Sequence, residues 1–155
     1  MEFHREILKL DVESETARIV EQIRRDVLTT LGRSGGVLGV SGGVDSAVVL
    51  ALAVRALGPD RLLTLLIPEM ESSPDSVRLG RLVCRQFGVT PLVEDVTGPL
   101  LGFGCYRRRD EAVRTVFPEY DSTYKIKITL PEDLLERDTL NFFTVTIISP
   151  GIVVR

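Results

Sequence analysis

Ile19, Val20, Ile23, Val27 and Leu31, with Thr16 ahead of them, recur at the spacing of an amphipathic helix, and Gly32 stops the pattern. Asp11 is placed to cap that helix. Val37 to Val40 is apolar on both faces, which predicts a strand in the middle of a parallel sheet. Ser46 to Leu57 is apolar almost all round and predicts a largely buried helix, ended by Gly58-Pro59. Leu62 to Ile67, bounded by Pro68, reads as a second strand. Ser73 and Pro74 supply a cap and a first-turn proline for a third helix, whose stripe of Val77, Leu79, Leu82, Val83 and Phe87 runs to Gly88. Val89 to Val96 predicts a third strand, weakened at its start by Pro91. The alternation to residue 96 predicts an α/β fold. It is a three-layer arrangement, a parallel sheet with helices on both faces and right-handed crossovers.

Beyond residue 96 the pattern changes. Thr97-Gly98-Pro99 and Gly102-Phe103-Gly104 read as loops, and Asp110 to Val116 as a short helix ended by Pro118. Ile126 and Ile128 alternate with Lys125, Lys127 and Thr129, as a half-exposed strand does. Phe143, Val145 and Ile147 alternate with Thr144 and Thr146 in the same way. The acidic stretch Pro131 to Thr139 between them has room for a helical turn. Ile152 to Arg155 resembles the middle of a strand more than a natural tail. There is no internal repeat, and 155 residues predict one domain.

Composition narrows the function classes. A hydrophobic content of 44% and a charged content of 26% are ordinary for a soluble globular protein. A net charge of −3 gives no support for bulk binding to nucleic acid, and Arg107-Arg108-Arg109, the one dense basic cluster, reads as a solvated face. Cys84 and Cys105 form neither a C-x-x-C pair nor a metal spacing. Cys84 falls in a helical pattern as a small buried hydrophobe, and free thiols predict a cytoplasmic protein. Met1 to Leu10 carries Glu2, Arg5, Glu6 and Lys9, unlike a signal peptide, and no apolar run reaches the ~18 residues of a membrane span. His4, the sole histidine, reads as a surface residue.

The candidate chemistry lies in Gly39-Val40-Ser41-Gly42-Gly43-Val44-Asp45-Ser46, between the first strand and the helix that follows it. Strand, small-residue loop and helix turn backbone N–H groups toward an anion. The spacing is neither G-x-x-x-x-G-K-[ST] nor G-x-G-x-x-G. Gly42 and Gly43 permit close backbone approach, and the Ser41 and Ser46 hydroxyls can donate to phosphate oxygens. Asp45 would repel phosphates unless a cation lay between, and Mg²⁺ prefers one or two carboxylates plus phosphate oxygens. The loop thus predicts a pyrophosphate–magnesium site with Asp45 as metal ligand. An N-cap at Asp45 or Ser46 and a tight turn at Gly42-Gly43 would explain each residue singly, but not the whole octet after a strand.

The octet resembles the S-G-G-x-D-S signature of the ATP pyrophosphatase superfamily. With its flanks, Ala51 to Gly58, Arg61 to Glu69 and Ser72-Ser73, it looks like the NAD synthetase family. The resemblance covers roughly the first two thirds of the chain. It implies ATP and Mg²⁺ as cofactors, deamido-NAD and ammonia as substrates, a homodimer, and no nucleic-acid or membrane partner. It also implies adenine contacts through the backbone of Leu66 and Ile67 at the end of the second strand. The family's later T-G-N-x-x-E and G-D segments do not occur in this sequence, so the resemblance predicts a domain incomplete at its C-terminus. No amidase domain fits in this length, which favours ammonia or a partner-fed nitrogen source. Two alternatives stand beside this one: a non-catalytic or truncated ATP-binding module, and another enzyme with the same loop, such as a tRNA thiolase or an amidotransferase.

Overall fold

The structure is a computed structural model that describes residues 9–129 and 144–149. The chain divides into two compact units, Met1–Thr97 and Gly98–Arg155. In the first, α1 (Val12–Arg24) starts on the Asp11 carboxylate, which accepts from the Ser14 N–H at 3.1 Å. The helical pattern then runs on through Arg25–Thr30 as a π turn, with the Leu31 N–H on the Asp26 carbonyl at 2.8 Å. β1 (Gly36–Gly39), α2 (Val44–Leu57), β2 (Leu62–Leu66), α3 (Pro74–Gln86) and β3 (Leu92–Val93) follow. The strands lie parallel in the order β1-β2-β3, with Gly36 opposite Leu62 and Leu65 opposite Leu92. The fold is α/β, as the alternation predicts.

The core lies between one sheet face and two helices. Val40, Leu50, Leu66, Cys84 and Val89 form its buried centre, with Leu38, Leu62, Val54 and Val77 packed around it. The Arg24 guanidinium donates to the carbonyl of Ala56 at 3.1 Å, tying α1 to the last turn of α2. On the opposite face, Val37 is 63% exposed, and Leu63 and Ile67 are also exposed.

Three expectations are corrected here. β1 is not a central strand: among the described residues it pairs only with β2, so it forms the sheet edge despite its apolar composition. α2 is not largely buried, because only Leu50, Ala53 and Ala56 are buried along it, while Val44, Val48 and Val49 are exposed. β3 is two residues long, not eight. Gly88 (φ +71°) and Val89 close α3, their N–H groups bonding Arg85 and Cys84 carbonyls. Pro91 has no N–H to offer a ladder. The β2–β3 pairing nevertheless continues past the strand through Glu94 N–H to Leu66 O (2.9 Å) and Val96 N–H to Pro68 O (3.0 Å).

Thr97–Gly102, where the first unit gives way to the second in sequence, is a short helix, α4, not the loop expected there. The Asp95 carboxylate holds the Thr97 N–H at 2.8 Å, and bonds from the Thr97 side chain and backbone lower the Asp95 pKa. Pro99 falls in the first turn, where a missing N–H costs nothing. α5 (Cys105–Val116) starts earlier than the sequence predicts. Arg107 pairs with Glu111 and Arg109 with Asp110, so two of the three clustered arginines are spent on neighbouring carboxylates. Buried Tyr120 donates to Asp110 at 3.2 Å. β4 (Lys125–Thr129) and β5 (Thr144–Ile148) pair antiparallel, with Ile126 opposite Ile147. His4, Phe143 and the stretches Pro131 to Thr139 and Ile152 to Arg155 lie outside the described residues.

Candidate functional site

The octet lies at the C-terminal edge of the sheet, where ligands of open α/β sheets bind. Gly39 ends β1, and Val40 is buried with its N–H on the Leu65 carbonyl at 2.8 Å. Ser41 to Gly43 then form the bend, and α2 opens at Val44. Its N-cap is Gly43, with no side-chain cap bond. Neither Asp45 nor Ser46 is therefore the cap. Asp45 is exposed in the first turn, where the helix dipole favours negative charge.

The bend is held by its own hydroxyls. The Ser46 hydroxyl donates to the Gly43 carbonyl (3.0 Å), accepts from the Ser41 N–H (3.2 Å) and lies 3.1 Å from the Ser41 hydroxyl. The Gly43 N–H donates to the Ser41 hydroxyl at 3.3 Å. Two of the N–H donors and both hydroxyls that the sequence assigns to an anion are thus engaged with each other. An anion at this bend would replace hydroxyl acceptors already in place, so the loop is shaped before it is loaded. Gly42 has φ +84°, a conformation that favours glycine.

Leu66 and Ile67 differ in exposure but border the same small space. The Leu66 side chain is buried, and its carbonyl accepts from Glu94. Ile67 is exposed, and both residues, with Val40, Ser41, Pro68, Ser72 and Ser76, line a cavity of about 130 Å³. That space admits a fragment of a ligand; whole small-molecule sites run to roughly 300–1,000 Å³. Ser72 shapes its rim, accepting from the Glu69 N–H at 3.0 Å. Ser76 and Gly80 at this edge carry no motif of their own in the sequence, and Ser72 enters there only with Ser73 in the family resemblance. Gly80 left a signal: a glycine inside a helix costs about 1 kcal/mol against alanine and calls for a packing reason.

A parallel sheet that hands over to a helix through a glycine–serine bend defines an α/β domain with a small-residue loop at the C-terminal edge of its sheet. Comparison with known proteins gives the family. The family model described as NAD synthase matches residues 15–113, more than half of the chain, and the chain belongs to that family. It is 45% identical over 144 residues to an NH(3)-dependent NAD(+) synthetase of Mesorhizobium japonicum, covering 93% of this chain and 45% of that protein. A Rhizobium meliloti protein of the same name is 43% identical over 148 residues, covering 96% and 44%. The chain thus spans less than half the length of these relatives. Among solved structures, a glutamine-dependent NAD+ synthetase from Acinetobacter baumannii in complex with ADP matches with a TM-score of 0.52 and 28% identity, over 69% of this chain and 20% of that one. An NH3-dependent NAD synthetase from Campylobacter jejuni shares the fold, with a TM-score of 0.58, 23% identity, and coverage of 71% and 50%.

Proposed function

We propose that the protein is an ATP-dependent amide-forming ligase that converts deamido-NAD and ammonia to NAD, releasing AMP and pyrophosphate. The observation that carries this is the octet Gly39 to Ser46 at the sheet's C-terminal edge, in a chain of the NAD synthase family. A carboxylate oxygen of deamido-NAD attacks the α-phosphorus of ATP, and the bond to the bridging oxygen of the leaving pyrophosphate breaks. Ammonia then attacks the acyl carbon of the adenylated intermediate, AMP leaves, and the nitrogen loses a proton. The Ser41 and Ser46 hydroxyls, the Gly42-Gly43 backbone and the opening turn of α2 hold the departing pyrophosphate, placing donors where negative charge grows. Ammonia rather than glutamine is favoured by the names of the relatives.

Asp45 suits Mg²⁺. Among the described residues no group of three His, Cys, Asp or Glu could hold a metal by itself. One exposed carboxylate beside a phosphate loop matches an ion that takes its other ligands from phosphates and water. Bound there, Mg²⁺ would offset charge on the pyrophosphate. Leu66 and Ile67 would meet the adenine through their backbone, beside the small cavity. Homodimerisation and a cytoplasmic setting belong to the same proposal; among the described residues no helix is long and apolar enough to cross a membrane. The test is pyrophosphate release. It is expected to require ATP, deamido-NAD and ammonia together, and release indifferent to deamido-NAD would contradict the reading.

A further inference from the structure

We infer that Gly80 is a positioning residue, the point through which α3 fixes the bend between Ser41 and Ser46. The inference rests on the reading of that bend as a nucleotide loop. Two glycines face each other's elements with no side chain between. A Cβ at Gly42 would lie 2.8 Å from the Ser76 carbonyl oxygen, 2.9 Å from the Leu79 Cβ and 3.1 Å from the Gly80 nitrogen. A Cβ at Gly80 would lie 2.7 Å from Leu66 Cδ2 and 3.4 Å from the carbonyl oxygen of Val40, the residue that leads into the bend. One stretch of α3 therefore bears on the loop twice, at its entrance and at its apex.

The start of that helix is itself fixed. The Ser73 hydroxyl accepts from the Asp75 N–H at 3.3 Å, and Pro74 occupies the first turn. Gly80 is buried and Leu66 is part of the core, where close packing leaves little room beyond the small cavity that Leu66 itself lines. A methyl group at position 80 presses on Leu66 Cδ2 and comes into contact with the Val40 carbonyl oxygen, so α3 shifts against the strand ends. Gly42 rests on the same backbone and moves with it. The bend is held by bonds of 3.0–3.3 Å among Ser41, Gly43 and Ser46, so a shift of a few tenths of an ångström alters the donors an anion would meet.

The experiment is Gly80→Ala in the full 155-residue chain, read by amide NMR and by calorimetric ATP titration with Mg²⁺. Val83→Ala serves as a control: it also thins α3 packing but adds no bulk at the loop. Gly80→Ala is expected to shift the amides of Ser41 to Ser46 and to weaken ATP by about tenfold, as small misplacements of binding groups do. Val83→Ala is expected to lower stability while leaving loop amides and ATP affinity as in wild type. A folded Gly80→Ala protein with wild-type loop amides overturns the inference. Shifted loop amides in a protein whose wild type takes up no ATP retire the nucleotide reading and keep the positioning role. Should Gly80→Ala not fold, wild type carries the test. ATP is then expected to move the amides of Ser76 to Gly80 together with those of the loop, while those of Val83 to Gln86 stay. Loop amides that move alone overturn the inference.

Discussion

Asp45 separates the two explanations of the octet most sharply. A capping aspartate would bond a backbone N–H, and its loss would cost about 1 kcal/mol. The α2 cap is instead Gly43, and the Asp45 side chain is exposed one residue into the helix. Asp45→Ala is therefore expected to leave the melting temperature nearly unchanged while removing Mg²⁺-dependent ATP binding, as read by calorimetry. Unchanged binding would remove the metal role. At this scale the sequence was informative about the octet, because a rare combination of residue types carries its own chemistry. It was silent on the bonds among Ser41, Gly43 and Ser46, which depend on a backbone path that residue types do not specify. Gly80 was legible only as an anomaly, since its reason lies in Leu66 and Val40, on other elements of the fold.

Between elements, the contact of β2 with α3 carries a titratable group. Cys84 and Thr64 are both fully buried, one from each element. The Thr64 hydroxyl has no full hydrogen-bond partner, and its contact with the thiol is weak, as thiols are poor donors and acceptors. Burial pushes the Cys84 thiol pKa up, and Thr64 draws it part of the way back. The folded protein holds this proton to higher pH than the unfolded chain does. The contribution is complete below the ordinary thiol value of 9.0 and is lost as pH rises through the folded value. The melting temperature of wild type is thus expected to fall more steeply between pH 8 and ~10 than that of Cys84→Ala; parallel curves would contradict this. Boundaries were legible where local chemistry sets them, as with Asp11, Ser73-Pro74 and Gly88. They failed where a distant partner decides. The strand expected over Val89 to Val96 lost its start to the helix cap and Pro91. The loop expected at Thr97 became α4 because the Asp95 carboxylate holds the Thr97 N–H.

For the whole molecule, the apolar run of β1 predicts a central strand, and β1 lies at the edge of the described sheet with Val37 exposed. Periodicity reports how apolar a strand is; which strands flank it is fixed by tertiary pairing that the local pattern does not contain. The C-terminal edge of the sheet was nevertheless predictable, since a parallel sheet brings the ends of β1 and β2 together whatever lies beside them. On the proposed function, this edge grips the phosphates of a nucleotide through the bend and a divalent ion. Titration of the wild-type chain with ATP, once with Mg²⁺ and once with a chelator, tests that most directly. A single saturable site seen with Mg²⁺ and lost with the chelator is the predicted result. No binding in either condition, or equal binding in both, would contradict it.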